Sequence, residues 1–243
     1  DAGVQALIGR IQPAAMVESA VARLRAAGIQ SINLDLMYGL PGQDTDHIAA
    51  TARFAGALGA DRVAVFGYAH IPWMKPAQKA IATEALPGAM ARLEQAEAAE
   101  RALLDAGYVA IGLDHFARPD DPMAAAQRRG VLRRNFQGYT TDRAPVLLGL
   151  GASAIGALAQ GYAQNLPDER AWLTAVEAGQ LPVARGLALT EEDRCRRAII
   201  ECVMCDLELD LARVPDAVWR SAKDRLAPLL EDGLVSFGEG RLK

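Results

Sequence analysis

Three apolar, strand-like runs at residues 32–37, 63–68 and 108–113 recur at intervals of roughly 30 to 45 residues, with helix-patterned stretches between them. No other feature constrains the fold as strongly. Strands that alternate with helices imply a parallel sheet whose faces the helices cover. The local signals agree. Pro13 suits a first helical turn, Met16, Val17, Ala20, Val21 and Leu24 recur at helical spacing, and Gly28 suits the position just past a helix end. Pro41-Gly42 marks a turn, and Asp44 or Thr45 can cap a helix running to about Leu58. A long helix over 86–105 closes at Gly107, and residues 146–150 read as a further strand leading through a glycine-rich turn into a helix. The expected class is α/β, part of a (β/α) barrel or an open α/β sheet, over residues 1–189. From Thr190, where Thr-Glu-Glu-Asp resembles a capping box, the texture turns helical, and residues 190–243 read as the start of a second domain. Functional residues in such sheets sit just past the strand C-termini. That rule selects Ala69-His70, Asp114-His115 and Gly151-Ala152-Ser153, with Asp35 inside the first strand.

Charge and export signals exclude several classes. With 26 basic and 30 acidic residues among 243, the formal charge is −4, which is no nucleic-acid footprint. Residues 1–10 lack a basic and then apolar leader, and the weakly polar run 144–159 is too short for a membrane span and is broken by Gly149, Gly151 and Gly156. A cytoplasmic protein without nucleic-acid or membrane partners is expected. Three cysteines, an odd number, argue against a disulfide framework. The chain opens without methionine on a helix-like start and closes on a strand and turn, so a piece of a longer protein is expected.

Several motifs have both a chemical and a plain reading. Cys202-Val203-Met204-Cys205 has the form of a metal or redox pair, but no second pair lies at a useful spacing and the thiols sit in an apolar helix, so the structural reading is preferred. The Gly149–Gly156 turn offers backbone N–H groups to an anion or simply packs tightly; it lacks the full phosphate-loop and dinucleotide patterns. Asp35 is a carboxylate in an otherwise apolar strand, which favours a ligand hydroxyl as its partner over an ion pair. His70 and His115 suit hydrogen bonding, and His47 reads as a surface residue. No catalytic residue and no metal ligand is assigned. Residues 114–141 carry Arg118, Arg128, Arg129, Arg133 and Arg134 among polar neighbours. They read as a loop whose guanidinium forks suit a polycarboxylate, although arginine richness also follows from codon bias.

Four segments together carry a resemblance: residues 33–43 (Asn-Leu-Asp-Leu-Met-Tyr-Gly-Leu-Pro-Gly-Gln), Tyr68-Ala69-His70, residues 114–121 (Asp-His-Phe-Ala-Arg-Pro-Asp-Asp) and residues 134–141 (Arg-Asn-Phe-Gln-Gly-Tyr-Thr-Thr). The chain resembles, over nearly its whole length, the oxygen-independent coproporphyrinogen III dehydrogenases, which are radical S-adenosylmethionine (SAM) enzymes of haem biosynthesis. The first segment is shared with related haem chaperones; the last two point to the dehydrogenase. A haem chaperone or another porphyrin-handling radical SAM relative is the alternative. The resemblance implies the later strands and helices of a radical SAM (β/α) barrel, followed by an incomplete, mostly helical C-terminal domain. It implies a SAM-derived radical that oxidatively decarboxylates two propionates of coproporphyrinogen III to vinyl groups, with an external electron acceptor. It implies two SAM molecules, one contacted by Ile155, the other by Arg10, Asp35 and Ala69, with Phe136 and Gln137 close to the cofactor pocket. The family's Cys-x3-Cys-x2-Cys motif for its 4Fe–4S cluster is absent from this chain. Cys195, Cys202 and Cys205 do not replace it, so the chain by itself is expected to be inactive.

Overall fold

The computed structural model describes residues 1–243. They form two compact units, Asp1–Arg128 and Arg129–Lys243; the textural change at Thr190 falls inside the second. The first unit runs α1 (Ala2–Leu7), α2 (Ala14–Ala26), β1 (Asn33–Tyr38), α3 (Thr45–Ala57), β2 (Arg62–Gly67), two short 3-10 turns, α4 (Ala89–Asp105), β3 (Val109–Gly112), β4 (His115–Ala117) and α5 (Pro122–Arg128).

β1 and β2 are parallel, with Leu34 opposite Val63 and Leu36 opposite Val65. Residues paired this way share a face. These four join Ile48, Ala52 and Ala55 of α3 and Ala98, Ala99, Ala102 and Leu103 of α4 in one apolar cluster. The alanines shorten the side chains at the α3–α4 contact and let the helices approach. Asp44 accepts the His47 N–H and caps α3, while Gly28 follows α2 at φ +86°, a conformation glycine adopts without cost. At the other end of the strands, Asp61 accepts from the Ile32 N–H at 2.8 Å and from Arg25 at 2.6 Å. Burial raises the Asp61 pKa, but these two donors outweigh it and hold the carboxyl below its ordinary value.

The sheet is not wholly parallel as the alternation implied. Its order is β1-β2-β4-β3, and β4 runs antiparallel to both neighbours. The chain reverses tightly after β3, with Leu113 at φ +43°, so that residues 115–117 re-enter the sheet beside β2. Phe116 and Ala117 are buried there, and Phe116 joins the main core. The stretch 114–141 is therefore not a loop: it contains β4, α5 and a hairpin.

In the second unit that hairpin is β5 (Arg133–Asn135) with β6 (Gly138–Thr140). β7 (Ile155–Ala157), β8 (Gly161–Asn165) and, after α6 (Glu169–Glu177), β9 (Val183–Ala188) form an antiparallel sheet. The glycine-rich turn thus enters a strand and not a helix, and the strand expected at 146–150 is a single bridge from Leu147 to Ala157. The reason is backbone crowding. A Cβ on Gly149 would lie 2.8 Å from the Ile155 carbonyl carbon, and one on Gly161 would lie 2.0 Å from the Leu187 oxygen. Asn165 fixes the turn by donating to the Gly149 and Gly151 carbonyls. α7 (Glu191–Asp206) begins with the expected capping box between Thr190 and Asp193. β10 (Leu209–Asp210), α8 (Asp216–Glu231), β11 (Phe237–Gly238) and β12 (Arg241–Leu242) complete the unit, the strands ordered β10-β12-β11. No helix is long and apolar enough to cross a membrane.

A part-buried ion pair ties β2 to the start of α5: Asp121 is buried, while 31% of the Arg62 side chain is exposed. Arg62 Nε donates to both Asp121 oxygens at 3.1 and 3.0 Å, and Asp121 also accepts the Met123 N–H at 2.7 Å. Removing Asp121 leaves the buried Met123 N–H without its acceptor, whereas the part-exposed Arg62 can turn to water. Asp121→Ala is expected to lower stability by about 2 kcal/mol in urea denaturation, and an unchanged midpoint would refute this reading of the pair.

Candidate cofactor-binding site

The first unit has a cleft of about 1010 Å³ beside β1, the outer strand of its sheet. Arg10, Asp35, His47, Thr51 and Phe54 are among its lining residues. Local chemistry puts each there. The Gln5 side chain donates to the Gln12 carbonyl at 2.7 Å and accepts the Gln12 N–H at 2.8 Å, closing the segment that carries Arg10. Alternation along β1 sends Leu34 and Leu36 toward the helices, so Asn33, Asp35 and Met37 project from the opposite face. Asp35 is exposed, and one of its oxygens accepts from the Asn33 amide at 2.6 Å. His47 lies one turn into α3, with Nδ1 at 2.6 Å from Asp44 Oδ1. The His47 N–H, then its imidazole, hold the Asp44 carboxyl below its usual pKa.

The structure therefore brings Arg10 and Asp35 to one cleft. Ala69 is not among the lining residues; it is exposed past the end of β2, where its carbonyl accepts from Gln78 at 3.0 Å. His70 lies 3.3 Å from both the Tyr68 and Thr83 hydroxyls. His115 sits within β4, 2.8 Å from Asp114 and edge-on to Phe66. His47, read from sequence as a surface residue, is on the cleft wall. No local sequence signal separates it from any other residue early in a helix.

In the second unit, Phe136 and Gln137 are the two-residue turn between β5 and β6. Asn135 Oδ1 accepts the Gln137 N–H at 2.8 Å and shapes that turn. The Phe136 ring is half exposed and meets Tyr162 of β8 edge-on at 4.9 Å. Ile155 is opposite Gln164 on β7, and Tyr162 and Gln164, two residues apart, share a face of β8. Ile155 and Tyr162 thus lie on one face of this sheet, and Phe136 packs against Tyr162.

No family model matches the chain. Oxygen-independent coproporphyrinogen III oxidases do. That of Bradyrhizobium diazoefficiens is 49% identical over 246 residues, covering 98% of this chain and 54% of that protein. That of Helicobacter pylori is 40% identical over 244 residues, covering 98% and 53%. Among solved structures, coproporphyrinogen III oxidase (HemN) from Escherichia coli, described as a radical SAM enzyme, matches all of this chain and 58% of that one, with a TM-score of 0.87 and 37% identity. The chain belongs to the oxygen-independent coproporphyrinogen III oxidase family. It spans about half the length of the curated relatives it matches.

Within this family member the arginines of 114–141 are not one ligand-facing cluster, as their sequence density suggested. Arg118 donates to the Ala106 and Gly56 carbonyls and lies over Tyr108; Arg128 donates to the Pro119 carbonyl; Arg133 pairs with Glu201; Arg134 lies over Tyr139. The run is also divided between the two units. The Gly149–Gly156 turn does not present a row of amides, since the Ser153 and Ala154 N–H groups are spent on the Leu166 and Gly151 carbonyls.

Cys195, Cys202 and Cys205 all lie on α7, and burial, before the nearby Glu201 and Asp206 carboxylates, pushes the Cys205 thiol up to about 11. A thiol this far above neutrality is a poor nucleophile and a poor metal ligand. At pH 8, iodoacetamide is expected to leave Cys205 unmodified in the folded chain and to modify it after unfolding in urea. Peptide mass mapping that finds Cys205 labelled under native conditions would contradict its burial.

Proposed function

We propose that the full-length protein carries out the oxygen-independent oxidative decarboxylation of two propionates of coproporphyrinogen III, giving protoporphyrinogen IX in haem biosynthesis. It would do so in the cytoplasm, with SAM as radical source and an external electron acceptor. The observation that carries this reading is the match over essentially the whole chain to oxidases of that name and to a described radical SAM enzyme. The parallel β1–β2 pair with α3 and α4 packed on it is the part of this chain that supports the (β/α) barrel reading.

The residues present suit SAM. The cleft beside β1 has the volume of a small-molecule site. Arg10 offers a fork of N–H donors that matches an amino-acid carboxylate, and Asp35 offers a carboxylate acceptor suited to ribose hydroxyls. We assign Arg10, Asp35 and Ala69 to one of two SAM molecules, Ile155 to the other, and Phe136 and Gln137 to the neighbourhood of the pocket. The thiols do not suit a 4Fe–4S cluster. All three share α7, and Cys205 is sealed and disfavoured as a thiolate. The cluster's ligands are assigned outside this chain.

When bound, SAM supplies the radical that takes a hydrogen from a propionate β-carbon, after which loss of one electron and CO2 leaves the vinyl group. This chain's own part is binding and orientation. In the first unit Arg10 and Asp35 offer one SAM a cationic and an anionic contact from the same cleft, and in the second Phe136 and Ile155 offer apolar surface that would exclude water.

Anaerobic turnover of the full-length protein with coproporphyrinogen III is expected to yield a product lighter by two CO2 and four hydrogens in total. Retention of haem with no vinyl product would overturn the assignment in favour of a chaperone. Asp35→Ala is expected to weaken SAM binding by about tenfold, the loss of a charge-assisted hydrogen bond, while the cluster absorption spectrum stays as in wild type. Unchanged SAM affinity would remove Asp35 from the site.

A further inference from the structure

Of the residues assigned to SAM, Asp35 lies on β1 and Ala69 lies two residues past β2; the segments that leave these strands are anchored on one side by Leu40 and Tyr68 in a small apolar cluster with Val4, and on the other by polar side chains of α4. We propose that Arg92 and Gln95, one turn apart on α4, are the positioning residues that fix both segments for cofactor binding. The proposal rests on the SAM reading above and adds residues that touch neither SAM nor substrate.

Gln95 is 1% exposed. Its Oε1 accepts the Gly39 N–H at 2.8 Å and its Nε2 donates to the Gln43 carbonyl at 2.7 Å, so one side chain spans both ends of the turn after β1. Gln43 continues the bracing inward: it accepts the Leu40 N–H at 3.1 Å and donates to the Met37 carbonyl at 3.0 Å. Arg92 Nη1 donates to the Tyr68 carbonyl at 2.9 Å, immediately before Ala69, and the guanidinium carbon lies 5.8 Å from the centre of the Tyr38 ring. Two α4 residues therefore hold the exits of two adjacent parallel strands.

The fit around the guanidinium is close. A Cβ on Gly39 would lie 2.9 Å from Arg92 Nη1, and one on Gly67 would lie 3.0 Å from Arg92 Nη2. Gly39 also has φ +81°, so both its conformation and the space it leaves require glycine. Both glycines lie at strand exits, one at the first residue after β1 and one at the last residue of β2. A core needs no buried glutamine at this position for packing alone; a methyl-bearing isostere would fill the same volume without two hydrogen bonds to satisfy. What the polar pair adds is a fixed path for backbone that would otherwise be free to shift, and displacement of a binding group by an ångström is enough to lower affinity and rate.

The test uses the full-length protein, with SAM binding measured by equilibrium dialysis and backbone opening by hydrogen exchange. Gln95→Leu and Arg92→Met are expected to raise the SAM dissociation constant about tenfold and to speed exchange at residues 39–43 and 68–70, while the cluster spectrum is retained. Gln95→Glu, which keeps the acceptor for Gly39, is expected to recover part of the affinity. Gln43→Ala, a less buried link in the same bracing, is expected to weaken SAM binding in the same direction and keeps the test alive should a core variant not fold. Asp121→Ala serves as control, since it removes stability without touching these segments and should leave SAM affinity at the wild-type value. Wild-type affinity in folded Gln95→Leu, Arg92→Met and Gln43→Ala would overturn the positioning role while leaving the SAM reading intact. An equal loss of affinity in Asp121→Ala would also overturn it, by reducing the effect to general destabilisation. Failure of wild-type protein to bind SAM would instead overturn the SAM reading itself.

Discussion

The apolar layer between the β1–β2 pair and helices α3 and α4 is the constraint on which the first unit depends. Ile48, Val63 and Leu103 are completely buried in it, and burying side chains of this size stabilises by about 1.5–3 kcal/mol each. The layer also dictates what faces away from it. With a two-residue side-chain period, the register that buries Leu34 and Leu36 must send Asn33, Asp35 and Met37 to the other face. A slip by one residue would place the Asp35 carboxylate among alanines and leucines, where an unpaired charge is very costly. The exposure of a candidate binding carboxylate thus follows from core packing, with no separate device to hold it out.

Holding the strand exits is a different problem, because only a small apolar cluster of Val4, Leu40 and Tyr68 continues past the ends of β1 and β2. Here the chain relies on long polar side chains reaching from neighbouring elements to backbone atoms: Gln5 to the segment with Arg10, Gln78 to the residues after Tyr68, and Arg92 and Gln95 to both exits. Each satisfies backbone groups that have no partner in the sheet or the helices, which is the condition for irregular backbone to be buried at all.

Periodicity made β1, α3, β2 and α4 legible in the sequence, because their apolar residues recur over several turns or pleats. The Thr190–Asp193 box was legible for the same reason that it works, a hydroxyl and a carboxylate three residues apart at a helix start. β4 was not legible. It is three residues long and follows Asp114 and a tight reversal, so only Phe116 and Ala117 carry any strand signal. Nor was the path through Gly149–Gly156, which depends on Ser153 at φ +62° and on backbone contacts at a carbonyl remote in sequence. Of the candidate site, Asp35 stood out as a charge in an apolar run, and Arg10 entered through the family resemblance alone; His47 looked like any early helical residue because nothing local says which side of α3 faces a cleft.

The arginines of 114–141 separate two properties that sequence reading joined. Part of their hydrogen-bonding capacity is used within the protein, by the Ala106, Gly56 and Pro119 carbonyls and by the Glu201 carboxylate, while Arg134 Nη1 is buried without a partner. Their charge is less fully used. Carbonyls and the Tyr108 and Tyr139 rings attract a guanidinium but carry no net charge to cancel it, and of the contacts around Arg118, Arg128, Arg133 and Arg134 only the Arg133–Glu201 pair is neutralising. Arg118 and Arg133 are poorly placed for bidentate contacts with a carboxylate ligand, because a direct fork would have to break these existing bonds. They remain suited to a weaker task, raising the local potential for an anionic ligand, an effect that acts over about a Debye length and weakens with salt.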